Sequence, residues 1–216
     1  MPRPSLYLIS PPVGDPEEFR AALAEACGTG LVAALLLRLV PRDERALVKA
    51  IKALAPVAQD HGTAVIVADP GPDIDLARLV LRGGADGGHA GDLARLPSLR
   101  EHLKDGLSLG AGGLRTRHDA MVAGEAEVDY VLFGEENPDG SLPPLALAAE
   151  QAAWWAEIFQ TPCAVFAPTW EAVPRLAATG AEFIALGDMV WSHAEGPASA
   201  LARIERLAGA PRKGAA

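Results

Sequence analysis

What most constrains this chain is an alternation: short apolar runs recur along it, each followed by a longer segment of helical period. The runs are Leu6–Ile9, Ala33–Leu37, Ala64–Ala68, Gly87–His89, Leu107–Gly110, Tyr130–Phe133, Cys163–Phe166 and Phe183–Leu186. Between and after them the helical candidates are Pro16–Cys27, Glu44–His61, Asp75–Arg82, Pro97–Lys104, Arg115–Glu125, Leu145–Phe159, Trp170–Ala178 and a last one within Pro197–Ala208. Eight such units in 216 residues give about 27 residues each, the length of one strand, one crossover helix and two short loops. Strand–helix alternation implies a parallel sheet, and eight units closing on themselves make a (β/α)8 barrel. Runs such as Leu35-Leu36-Leu37 and Val65-Ile66-Val67 are apolar on successive residues, as strands covered on both faces must be. An open doubly wound sheet is the alternative, but Ser10-Pro11-Pro12-Val13-Gly14 after the first strand is nothing like a dinucleotide fingerprint.

Punctuation supports this register. Asp15-Pro16 reads as an N-cap and first turn, and Gly62, Gly83 and Gly180 are expected to close the second, third and seventh helices. Residues 1–210 are read as one barrel domain, and Pro211–Ala216 as a disordered tail. Nineteen basic against 28 acidic side chains leave a net charge of −9, which argues against nucleic-acid binding and against an anionic membrane surface. The longest apolar run, Leu31–Val40, holds ten residues and contains Arg38, short of the roughly 18 that span a bilayer. With no secretory core at its start, the chain is expected to be cytoplasmic. Cys27 and Cys163 are far apart in apolar settings and are read as core residues.

In such a barrel the active site forms at the carboxyl ends of the strands. The residues there are Ser10, Arg38, Asp69, His89 with Asp92, Gly112-Gly113, Gly134-Glu135-Glu136, Pro168-Thr169 and Gly187-Asp188. Arg38 ends an otherwise apolar strand, so it meets either an anionic ligand or a barrel carboxylate such as Asp69.

Four segments in order resemble the thiamine phosphate synthase and TenI superfamily of small barrels. They are Leu6-Tyr7-Leu8-Ile9, Gly84-Ala85-Asp86-Gly87-Gly88-His89-Ala90-Gly91, Val128-Asp129-Tyr130-Val131-Leu132-Phe133-Gly134, and Thr179-Gly180-Ala181-Glu182-Phe183-Ile184-Ala185-Leu186-Gly187. The resemblance implies small phosphorylated or heterocyclic substrates. Synthases of the family join hydroxymethylpyrimidine diphosphate to a thiazole phosphate, losing pyrophosphate with Mg²⁺ through a cationic pyrimidine intermediate; TenI-type members isomerise the thiazole phosphate.

Carried over residue by residue, the match is mixed. The family's Gln-x-Arg-x-Lys survives only at Arg38, and its Asn-Asp-Arg only at Asp69. Its His-x-Gly-Gln-x-Asp becomes His89-Ala90-Gly91-Asp92, two residues shorter. The resemblance thus implies Arg38 and His89 as catalytic or pocket-lining residues, and Asp69 with Asp92 as an Mg²⁺ pair, since this hard ion is commonly held by one or two carboxylates plus phosphate oxygens. Without it, Asp69 reads as a loop cap before Pro70, and Asp92 as the N-cap of a short helix. Gly134, Glu135, Glu136 and Gly187 are the substrate-binding candidates. The family's loop after the sixth strand is rich in Thr with a Lys; here it carries Glu135, Glu136 and Asp139. Pro168 removes an N–H, Asp188 adds an acid and Gly112-Gly113 stands where the family has a Ser, so the departures share one direction, less capacity for phosphate. Arg42, Arg115 or Arg117 could restore positive charge. The readings left open are a divergent synthase, a TenI-like or other small-molecule enzyme with Glu135 or Glu136 as general base, and a non-catalytic binding or regulatory barrel. A homodimer through an apolar helix patch is a further expectation.

Overall fold

A computed structural model of the chain describes residues 3–104, 106–137 and 139–209; the expected tail at 211–216 lies outside them. Eight parallel strands, β1 (Ser5–Ile9), β2 (Val32–Leu37), β3 (Ala64–Ala68), β4 (Gly87–Ala90), β5 (Ser108–Ala111), β6 (Tyr130–Phe133), β7 (Cys163–Phe166) and β8 (Phe183–Leu186), pair in sequence order, and β8 closes on β1. Around them lie α1 (Pro16–Cys27), α2 (Glu44–Gln59), α3 (Leu76–Gly83), α4 (Leu96–His102), α5 (Arg117–Glu125), α6 (Leu145–Ile158), α7 (Ala172–Ala177), α8 (Asp188–Trp191) and α9 (Gly196–Ala208). The (β/α)8 barrel expected from the alternation is the observed fold. No described helix is long and apolar enough to cross a membrane.

Period 2 sorts each strand between two cores. Leu6, Leu8, Leu35, Leu37, Val65 and Val67 point outward into one large apolar layer beneath the helices. Their neighbours Tyr7, Ile9, Leu36, Ile66, Tyr130, Leu132, Ala164 and Ala185 fill the barrel itself. This inner core is small and is not wholly apolar: Tyr7, Tyr130 and the buried His89 bring polar atoms into it. Room for Tyr130 comes from Gly110, where a Cβ would lie 2.1 Å from Cζ of the Tyr130 ring.

Asp15 caps α1 by accepting from the Glu17 N–H, with Pro16 in the first turn, as expected. The helix ends need correction. Gly84, not Gly83, is the left-handed cap of α3, while Gly83 is its last helical residue, packed so that a Cβ would meet Ile51 Cγ2 at 2.5 Å. α2 and α7 end at Gln59 and Ala177, and their C-caps, Asp60 and Ala178, each lie two residues before the glycine expected to close the helix. The four-residue α8 was not anticipated, because one turn leaves no period to detect.

Candidate active site

At the carboxyl ends of the strands a cavity of about 1200 Å³ opens, lined among others by Ser10, Arg38, Gly113, Arg115, Glu135 and Phe166. Arg38 is fixed by its backbone. Ser10 Oγ accepts from the Arg38 N–H at 2.9 Å, and the Val13 N–H donates to the Arg38 carbonyl at 2.9 Å, so the ends of β1 and β2 are tied together behind the side chain. Among the described residues no carboxylate lies within ion-pair reach of its guanidinium. Asp69, the candidate partner, is bound elsewhere. Of the three arginines considered as extra charge, Arg115 lines the cavity, whereas Arg117 pairs with Glu150 at 2.8 Å and lies over the Trp154 ring. A capping box fixes Arg115 in turn: Asp119 Oδ2 accepts from the Arg115 and Thr116 N–H groups at 3.0 and 2.9 Å, at the start of α5.

Glu135 lines the cavity with its side chain 22 % exposed. Its Oε2 accepts from the Gly113 N–H at 2.8 Å, and its Oε1 lies 3.4 Å from Nε2 of His89. Behind it a polar chain runs down the barrel: His89 Nδ1 is 2.9 Å from the Tyr130 hydroxyl, itself 2.6 Å from the Tyr7 hydroxyl. One assignment gives every hydrogen a role along this chain. Tyr7 donates to Tyr130, Tyr130 donates to Nδ1, and the Nε2–H faces Glu135. Burial pushes the Tyr7 phenol far above its ordinary range, and burial together with the Tyr7 neighbour does the same to Tyr130, so both keep their protons. Burial alone would push the Glu135 carboxyl up, but His89, the Gly113 N–H and the charge of Arg38 outweigh it and hold the carboxyl below its ordinary value. Glu135 is thus an oriented anion on the cavity wall.

Gly134, Glu136 and Gly187 also line the cavity, Glu136 on its exposed lip, with Asp188 opening α8 beside it. The two aspartates expected to bind metal lie apart from this wall. Asp69 Oδ2 is ion-paired with Arg95 and its Oδ1 accepts from the Gly71 N–H at 3.0 Å, while Arg95 also donates to the Gly71 and Ile74 carbonyls. Asp92 is exposed and caps the 3₁₀ turn Leu93–Arg95 through the Ala94 N–H at 3.0 Å. Neither lines the cavity. As placed, then, the pair does not fit a bound Mg²⁺.

Comparison with known proteins matches residues 6–190 to the family model described as thiamine monophosphate synthase. The chain belongs to that family. Among relatives named thiamine-phosphate synthase, that of Rhodospirillum centenum is 39 % identical over 206 residues, spanning 94 % of this chain and 96 % of the relative. That of Hyphomonas neptunium is 35 % identical over 95 % and 94 % of the two chains. A solved thiamine phosphate pyrophosphorylase from Pyrococcus furiosus superposes with a TM-score of 0.76 over 95 % of this chain and 96 % of that one, at 19 % identity, and 3-hexulose-6-phosphate synthase from Salmonella typhimurium with 0.72, over 94 % and 98 %, at 16 %. At such identities the structural matches speak for the barrel alone. On the wall of this chain's cavity the Glu135–His89 pair stands on two tyrosines. Sequence reading singled out Glu135 and His89 separately but missed Tyr7 and Tyr130. Their signal was present: they are the chain's only tyrosines, each in an otherwise apolar strand.

Proposed function

We propose that this protein is a thiamine phosphate synthase-type transferase, joining hydroxymethylpyrimidine diphosphate to a thiazole phosphate with release of pyrophosphate. The observation that carries the reading is Arg38, whose backbone Ser10 and Val13 fix at the cavity wall and whose guanidinium has no carboxylate within ion-pair distance among the described residues. A buried or half-buried cation without a partner is costly unless a ligand supplies the anion, and a diphosphate does so. Arg115, across the cavity mouth, is the second cation available to the phosphates. The reaction needs little covalent chemistry from the protein. The methylene–oxygen bond of the diphosphate ester breaks, its electron pair leaves with pyrophosphate, and the thiazole nitrogen forms the new carbon–nitrogen bond. The chain's task is to hold the leaving group, exclude water from the cationic carbon and align the nitrogen within reach.

The test is incubation of the purified protein with both substrates, with and without Mg²⁺, reading thiamine phosphate and pyrophosphate. The expected result is formation of the two in equal amounts. Absence of product in both conditions would overturn the reading.

A further inference from the structure

At Gly112 a Cβ atom would lie 1.7 Å from Glu135 Oε2 and 2.4 Å from His89 Nε2. No side chain can stand there while Glu135 holds its place, so the hollow in the strand-end at 112 and the carboxylate at 135 are one construction. Glu135 reaches 23 residues along the chain to fill that hollow, and each of its oxygens meets a group there: the Gly113 N–H on one, His89 on the other. The His89 side chain is 5 % exposed, and its Nε2 is the one buried side-chain nitrogen or oxygen among the described residues without a hydrogen-bond partner. A histidine so deeply held, with Tyr130 and Tyr7 fixing its far side, orients Glu135 by turning its Nε2–H toward the carboxylate. Around the carboxylate stand Arg38 just after β2, His89 from β4 and Tyr130 from β6.

A carboxylate has about four acceptor positions, and the two contacts leave others turned to the cavity. What it can take there is a ligand with N–H donors or positive charge. Glu136 and Asp188 do not offer the same: both are exposed, where water screens their charge. On the reading of the preceding subsection, one substrate has these properties. An aminopyrimidine carries an exocyclic amine beside a ring nitrogen, and when its methylene–oxygen bond breaks, the positive charge left on the methylene is shared with that amine.

We propose that Glu135 is the residue that binds the amino edge of the pyrimidine and offsets the charge that develops on it, with His89, Tyr130 and Tyr7 as positioning residues. Glu135 stays ionised throughout and no proton moves: the electron pair of the broken bond leaves with diphosphate, and the thiazole nitrogen lone pair makes the new bond. The carboxylates of the sixth loop then have opposite consequences. They burden the diphosphate, while the inward one favours the cation, a difference felt more strongly in the transition state than in the ground state.

The inference rests on the proposed function, and its test separates the two. Calorimetric titration with 4-amino-5-hydroxymethyl-2-methylpyrimidine and with its analogue lacking the amino group should show that the unaltered protein prefers the amino compound by tenfold or more. Glu135→Gln should erase that preference and lower kcat about 100-fold while leaving the KM for thiazole phosphate unchanged. Gly112→Ala, which displaces the carboxylate without removing its charge, should reproduce the loss and serves if Glu135→Gln does not fold. A protein that makes thiamine phosphate but whose Glu135→Gln and Gly112→Ala variants bind and turn over as before would overturn the inference and leave the function standing. A protein that makes none, yet prefers the amino compound through Glu135, would do the reverse. No preference in the unaltered protein overturns the inference in either case.

Discussion

Two carboxylates just beyond strand ends, Asp69 after β3 and Glu135 after β6, each face a basic side chain from another part of the barrel rim, and they do opposite things. Asp69 meets Arg95, whose guanidinium also holds the Gly71 and Ile74 carbonyls, so that pair staples the β3–α3 loop to the turn before α4. Glu135 meets His89, which points up from inside the barrel, and the carboxylate stays on the cavity wall. Both positions satisfy the rule that chemistry sits at the carboxyl ends of the strands. The difference lies in the partner. A base rooted outside the barrel draws the acid away from the cavity, and one rooted inside keeps it there.

The comparison can be broken or sharpened by experiment. The largest effect should come from the free cation opposite Glu135: Arg38→Ala should cut kcat/KM for the diphosphate substrate about 100- to 1000-fold while thermal stability barely changes. A fall in stability without a fall in activity would make Arg38 structural, like Arg95. Asp69→Asn should behave in the contrary sense. Its pair is partly exposed, so the loss should be about 1–2 kcal/mol, below the 3–5 expected of a fully buried pair, and should lower Tm by about 3–6 °C with turnover retained. Loss of activity at unchanged Tm would place Asp69 in the chemistry after all.

A smaller effect should appear in acid. The Glu135 carboxyl is held below its ordinary value of 4.5, so its ionised form contributes stability that is complete above that value and is lost as pH falls through the lower folded-state value. Melting temperatures of the unaltered protein and Glu135→Gln measured from pH 7 to pH 3 should therefore converge toward the acid end. Curves that stay parallel would mean that the charge of Glu135 contributes nothing to the fold. The smallest effect belongs to the outer helices. Glu150→Gln removes an exposed pair with Arg117 and should change stability by less than about 0.5 kcal/mol and activity not at all.

The architecture was legible because each β/α unit carries its own evidence. β3, β6, β7 and β8 begin and end where the apolar runs do; β1, β2 and β4 differ by one residue at one end and β5 by one residue at each end, where pairing rather than hydrophobicity sets the limit. The site was legible in its members and not in its connections. Arg38, His89 and Glu135 can be named from their positions after strands. That Asp69 would find Arg95, 26 residues on, or that Tyr7 and Tyr130 would meet across 123 residues, depends on which way side chains turn once the barrel has closed. The loop caps at Asp69 and Asp92 show the limit from the other side. Each has the local backbone partner that an Asp in a turn is expected to have, and a resemblance read by position cannot tell that use from a ligand's.

The hollow at Gly112 also imposes an order on change. A carboxylate at 135 has nowhere inward to go until 112 has lost its side chain, whereas a glycine at 112 puts no side-chain atom in the way of whatever stands at 135. In a lineage leading to this arrangement the glycine must come first or together with the acid, and the reverse route passes through a chain whose new carboxylate faces water with His89 left alone beneath it. Once both are in place, restoring a side chain at 112 ejects the acid, so any retreat has to begin at 135.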